Sequence, residues 1–275
     1  MDTTASKAAA SGAETPLPGG ARRAPQLQFR NVSIVLGGKA IIENLSFDVA
    51  PGEFVCIVGA SGCGKTTALR LASGLYAPSS GQVTFEGAPM HGPRRDIAIV
   101  FQDYGKALLP WRTASGNIAL AMEAAGTPKA ERPARIRALL AKVGLPGQED
   151  KYPSEMSGGM QQRLQIARCL AQDPVALMMD EPFGALDAMT RQGLQDEVLA
   201  LVAASGATVV FVTHDLEEAI YLGDRVIGLL PHPGRIGIDL RIDLPRPRDQ
   251  LATREDPEFL RLRRELFDFI KASES

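Results

Sequence analysis

The sequence is short of several things, and each shortage removes a class of explanation. Cysteine occurs only as Cys56, Cys63 and Cys169, scattered and without metal-ligand spacing. A disulfide scaffold and a zinc module are thereby excluded, and a reducing compartment is expected. No apolar run approaches the roughly 18 residues of a membrane-spanning helix. The start of the chain lacks the basic onset and apolar core of a secretion signal. Any link to a membrane is therefore expected to run through a partner. An excess of one charge is missing too: 30 Lys and Arg face 32 Asp and Glu, a net of −2. That balance gives no global case for nucleic acid or an anionic lipid surface.

What is present is ordinary globular protein, 45% hydrophobic and 23% charged, over 275 residues. That length gives room for one or two domains with a real core. Residues 1–24 are rich in Ala, Ser, Thr, Gly and Pro without periodic pattern and read as a disordered tail. From Leu27 to Val49 apolar and polar residues alternate around Gly37-Gly38, as in an antiparallel hairpin. Gln82–Phe85 adds a short strand. Nearly continuous apolar runs at Phe54–Val58, Ile97–Phe101, Val175–Met179, Val209–Val212 and Val226–Leu230 read as buried strands alternating with helices. Between them, from about residue 103 to 173, strands give way to helices at Ala114–Ala125 and Ala130–Val143. The expected architecture is α/β, with an antiparallel β subdomain and an inserted α-helical subdomain. After the main domain, residues 25–248, comes a helical tail over 249–275. There Asp256-Pro257 precedes Phe259, Leu262, Leu266 and Phe269 at helical spacing.

Chemistry concentrates at Gly59-Ala60-Ser61-Gly62-Cys63-Gly64-Lys65-Thr66-Thr67, placed between a strand and a helix. This is the G-x-x-x-x-G-K-[ST] phosphate-binding loop in the context it needs. Glycines let successive N–H groups wrap an anion, and the helix start adds its positive end. Lys65 can reach the β- and γ-phosphates, and the Thr66 hydroxyl can ligate Mg²⁺. The strand Val175–Met179 ends in Asp180-Glu181. A carboxylate at such a strand end sits beside the phosphate loop. Asp180 is then the Mg²⁺-associated residue, and Glu181 is free to polarise an attacking water. Ser157-Gly158-Gly159 before a helix-like run offers a second anion site. One nucleotide has little use for two cradles, so the second is read as serving the nucleotide of another copy. His214, after the buried strand Val209–Val212, is placed to hydrogen-bond a γ-phosphate.

In this order the motifs resemble those of the ATP-binding cassette (ABC) ATPases, over roughly residues 26–245. The phosphate loop resembles Walker A, and Gln102 the Q-loop. Met156–Arg163 resembles the signature and Leu177–Glu181 Walker B. Ala185-Leu186-Asp187 resembles the D-loop and His214 the switch histidine. The resemblance implies a P-loop NTPase core and two subunits, a homodimer, closed head-to-tail on two ATP molecules. It implies that Ser157, Gly158 and Gly159 reach the γ-phosphate of the partner's ATP, with Asp187 also at that interface. Glu181 is then the general base, His214 holds the γ-phosphate, and Gln102 senses Mg²⁺ and water while linking to the helical insertion. Integral membrane permease subunits would dock on that insertion.

The family's adenine-stacking aromatic would fall at Leu36, or at Val35 with a one-residue slip, so aliphatic contact replaces stacking. Leu108–Thr113, Pro233–Ile236 and Leu244–Arg248 resemble the nitrate, sulfonate and taurine importer branch. That places the chain at the cytoplasmic face of the inner membrane, with an extracytoplasmic solute-binding protein as an indirect partner and no nucleic acid. A soluble ABC ATPase of DNA repair or translation would need coiled-coil, zinc or paired-cassette features absent from this sequence. A regulatory module that does not hydrolyse ATP would most simply lack Lys65, Asp180, Glu181 or His214, and all four are present.

Overall fold

The structure, a computed structural model, describes residues 24–184 and 186–273. The expected N-terminal tail lies outside the described residues except for Ala24, as does Ala185 of the Ala-Leu-Asp segment.

Two sheets meet at the phosphate loop. The first has strand order β2-β1-β4-β5, from β1 (Leu27–Leu36), β2 (Lys39–Val49), β4 (Ser80–Phe85) and β5 (Ala88–Pro89). Its strands pair antiparallel, with Leu27 opposite both Val49 and Phe85. Alternation turns Leu27, Phe29, Val32 and Ile34 inward. The Phe29 and Phe47 rings stack at 4.5 Å beneath them.

The second sheet runs β10-β9-β3-β8-β7-β6. Its strands are β3 (Phe54–Gly59), β6 (Ile97–Val100), β7 (Ala176–Asp180), β8 (Thr208–Val212), β9 (Arg225–Leu230) and β10 (Arg235–Arg241). All pair parallel except β10, which closes one edge antiparallel to β9. Every residue of β3, β7 and β8 is buried, the burial a continuous apolar run requires. Register decides the function: Ile57 and Asp180 both pair with Val212, and Val100 pairs with Met179. The segments following β3, β6, β7 and β8 therefore emerge together at the carboxyl edge of the sheet.

Helices pack on the second sheet or on the helices that do. They are α1 (Lys65–Ala72), α2 (Tyr104–Ala107), α3 (Ala114–Ala124), α4 (Arg132–Lys142), α5 (Gly158–Leu170), α6 (Ala188–Ser205), α7 (Leu216–Leu222), α8 (Ala252–Glu255) and α9 (Pro257–Ser273). The helices expected at Ala114–Ala125 and Ala130–Val143 occur as α3 and α4. With α5 they pack Ile118, Met122, Ile136, Leu140 and Leu164 into the main core. On α9, Phe259, Leu262 and Leu266 are fully buried in that same core.

Two segments singled out for their family resemblance have structural work to do. Gly234 bonds to both neighbours of Ile42, its N–H donating to Ile41 O at 2.8 Å and its carbonyl accepting from Glu43 N–H at 3.0 Å. A Cβ on Gly234 would lie 2.3 Å from Cys63 O, so the seam between the sheets admits only glycine there. In the other segment, Arg248 donates to the carbonyls of Ile220, Tyr221 and Gly223, and Arg246 to that of Leu222. Two guanidinium groups thus satisfy the carbonyls that end α7.

Candidate functional site

The site starts with the backbone of residues 59–64. Gly59 takes φ 153°, and a Cβ there would lie 2.7 Å from Leu229 O. Gly64 takes φ 96° as the residue that opens α1. These conformations turn the loop back over the start of α1, as an anion cradle requires. Lys65 is buried, its Nζ donating to Gly59 O at 2.7 Å and Ala60 O at 3.2 Å, so its ammonium is held under the loop. Ser61, Gly62, Gly64, Lys65, Thr66 and Thr67 line an open cleft of about 490 Å³. Cys63 instead turns inward and is fully buried, and burial pushes its thiol pKa up. Its backbone N–H donates to Ala60 O within the loop.

On the next strands of the edge, the Thr66 hydroxyl donates to Asp180 Oδ1 at 3.0 Å. Burial pushes the Asp180 carboxyl above the usual range, and the Thr66 hydrogen bond pulls it back. These are hard oxygen donors of the kind Mg²⁺ takes when phosphates supply the remaining ligands. Glu181 takes φ 43°, uncommon outside glycine, while its N–H holds Val212 O at 2.9 Å. That turn at the end of β7 aims its carboxylate across the cleft. Oε2 of Glu181 lies 3.0 Å from His214 Nδ1 and accepts from Gln102 Nε2 at 3.3 Å. Gln102, Glu181 and His214 thus line one cleft with Lys65 and Thr66.

Other residues named from the sequence lie elsewhere. Ser157 is exposed and caps α5, its Oγ accepting from Met160 N–H at 3.3 Å; Gly158 and Gly159 form the first turn. Asp187 caps α6 by accepting from Thr190 N–H at 3.0 Å, which holds its carboxyl below the usual range. None of these four lines the cleft in the single chain. Leu36 sits half-exposed at the end of β1, paired with Lys39, also outside the cleft lining. Ile41 does line it, although the sequence reading passed over it. Its only sequence signal is its place in the strand that returns beside the phosphate loop. Trp111 is 71% exposed on a loop fixed from beneath by Asn117, which is fully buried. The Asn117 amide donates to the carbonyls of Leu109, Arg112 and Thr113 and accepts from Leu109 N–H.

The ABC transporter family matches residues 42–184, just over half of the chain. The nitrate import ATP-binding protein NrtD of Synechococcus elongatus is 44% identical, over 85% of this chain and 86% of its own length. The bicarbonate transport ATP-binding protein CmpD of Synechocystis sp. is 41% identical over 93% of both. Among solved structures, the ATP-binding cassette MJ0796, a dimer in a post-hydrolysis state bound to ADP and Pi, is 30% identical with a TM-score of 0.68. That match covers 78% of this chain and 98% of the other. A family match over half the sequence, close relatives along most of it and a neighbour holding hydrolysis products make this chain a member of the ABC transporter family and an ATPase.

Proposed function

We propose that the chain is the ATP-hydrolysing subunit of an importer for a small anionic solute, acting as a homodimer beneath membrane permease subunits. The observation that carries the catalytic half is the Glu181 carboxylate, held by His214 and Gln102 over the cleft that also presents Lys65 and Thr66. The N–H groups of Gly59, Ser61, Gly62, Gly64, Lys65, Thr66 and Thr67 form the phosphate cradle, the Cys63 N–H being held within the loop by Ala60 O, and Lys65 neutralises charge on the β- and γ-phosphates. Thr66, Asp180 and Gln102 would hold Mg²⁺, which would supply positive charge to offset that developing on the phosphate oxygens. Glu181 orients a water in line with the γ-phosphorus and accepts its proton at Oε2 as the bond to the β–γ bridging oxygen breaks. His214 keeps that carboxylate in place and hydrogen-bonds a γ-phosphate oxygen.

Ser157, Gly158 and Gly159 are exposed or half-buried at a helix start outside the lining of the phosphate cleft. In the dimer they donate to the partner's γ-phosphate, with Asp187 beside them. Leu36 gives aliphatic contact to the adenine. Trp111 and its pinned loop are the permease contact, since a large, strongly exposed aromatic on a rigid support suits the anchor of such an interface. No helix among the described residues is long and apolar enough to cross a membrane, which supports a peripheral subunit at the cytoplasmic face, served indirectly by an extracytoplasmic solute-binding protein. The relatives' nitrate and bicarbonate favour a small oxyanion within the wider nitrate, sulfonate and taurine class.

The test is purification of tagged protein from native membranes in mild detergent, with mass spectrometry of what accompanies it. A stoichiometric multi-span protein supports the importer; its companion binding protein is then screened against nitrate, bicarbonate, sulfonates and taurine. Exclusively soluble or nucleic-acid-associated partners would sink the transport assignment.

A further inference from the structure

Strand β6 ends at Val100, and beyond it Phe101, Gln102 and Asp103 leave the sheet as exposed residues. Gln102 nonetheless holds one direction, since its Nε2 donates to Glu181 Oε2 at 3.3 Å. An exposed segment gains entropy by moving, so a bond of that length lasts only if the main chain before it is fixed.

The fixing group comes from α5. Gln165 lies two turns into that helix and is fully buried, at 0% exposure. Its amide rests against the main chain of Phe101. The Phe101 N–H only donates and the Phe101 carbonyl only accepts, which settles how the amide is turned. Its oxygen accepts from Phe101 N–H at 2.8 Å, and its nitrogen donates to Phe101 O at 3.2 Å. Two bonds to one residue hold both its position and its rotation, which a single bond does not. One turn further along α5, the Cys169 thiol donates to Ile99 O at 3.3 Å. The helix thus grips two alternate residues at the end of β6. After Gln102 the chain forms α2, which packs against α5 as well. Gln102 stands between two segments that one helix holds.

We propose that Gln165 is a positioning residue for hydrolysis. By clamping Phe101 it sets the direction in which Gln102 leaves β6, and so keeps the Gln102 amide on Glu181. The role rests on the catalytic reading of Gln102 and Glu181 given above; the clamp on Phe101 does not.

The test is a double-mutant cycle on ATP turnover. Gln165→Met keeps the length of the side chain and removes the amide from Phe101. It is expected to lower kcat about tenfold while KM for ATP moves less than about twofold. In a Gln102→Ala background the same substitution should have almost no further effect, because the residue that Gln165 directs is gone. A kcat unchanged by Gln165→Met, or a fall repeated in full without Gln102, overturns the positioning role. Turnover unaffected by Gln102→Ala itself overturns the catalytic reading of Gln102, and this role with it. Gln165→Glu covers the case in which Gln165→Met does not fold. Its protonated carboxyl carries the same donor and acceptor as the amide, and burial raises its pKa. Its turnover relative to the unmutated protein should therefore recover as pH falls from about 8 to about 6. A ratio flat with pH, or one that only follows the folded fraction on circular dichroism, overturns the role.

Discussion

Two helices in this molecule begin at small residues suited to anions, and they differ in what surrounds them. The start of α1 lies inside a complete setting, with Lys65 beneath the loop and Thr66, Gln102, Glu181 and His214 around one cleft. The start of α5 has the same kind of chemistry in Ser157, Gly158 and Gly159, but none of them lines that cleft. The cause is topological. The α1 start belongs to the carboxyl edge of a parallel sheet, where register brings four loops together. The α5 start belongs to the helical insertion, which the sheet's register does not place. On the proposed reading, one helix end is a site and the other is half of one.

The largest test of that contrast is Glu181→Gln. Turnover measured by phosphate release should fall about 10³-fold, as expected for loss of a general base. ATP should then hold the variant as a dimer on light scattering. A monomer at saturating ATP would mean that no second copy completes the α5 face in isolation. Next is Ser157→Arg, which fills the α5 start with a long side chain. Hydrolysis should drop about 10²-fold, while the single chain's ATP dissociation constant, by calorimetry, shifts less than about twofold. Weakened binding of matching size would place Ser157 in its own chain's site and erase the contrast. Leu36→Tyr probes the adenine end beyond the α1 cleft. It should tighten ATP binding about threefold, as a ring contact would; an unchanged constant rules out that position as the adenine contact. The smallest effect is Ser157→Ala, which removes the α5 cap. It should cost about 1 kcal/mol in denaturant unfolding. A larger loss would show that Ser157 is retained for folding first.

The parts of the site legible in the sequence were those whose chemistry needs particular residue types at fixed spacing. The phosphate loop and the Asp180-Glu181 strand end meet that condition, whereas the Ser-Gly-Gly helix start was read by the same rule but does not line the cleft. The buried strands were legible because parallel strands covered on both faces are unbroken apolar runs. What escaped depends on distant neighbours. Ile41 matters because its strand returns beside Gly64, with Ile41 O 3.4 Å from where a Gly64 Cβ would lie. Asn117 is one polar letter in a helical run, and only its four bonds to the 109–113 loop explain it. The β10 strand alternates as a strand should, but it is a short edge strand whose inward positions Ile236, Ile238 and Leu240 are only half-buried, so it lacks the buried apolar run that marks its neighbours. Glu218 reads as an ordinary first-turn acid beside Glu217, and nothing local says that it is buried.

The burial of α9 has a consequence for how the protein is made. The residues that form the nucleotide cleft are all synthesised by His214, yet the core beneath α7 and β9 is closed by Phe259, Leu262 and Leu266. These residues are synthesised well after the last residue of the cleft. Until they emerge, the nascent chain carries a nearly complete phosphate site on a core with an open apolar flank, the kind of exposed surface that recruits chaperones or aggregates. Completion of this cassette's core therefore waits for α9, and the packing of that helix decides how much of the cassette survives its own synthesis.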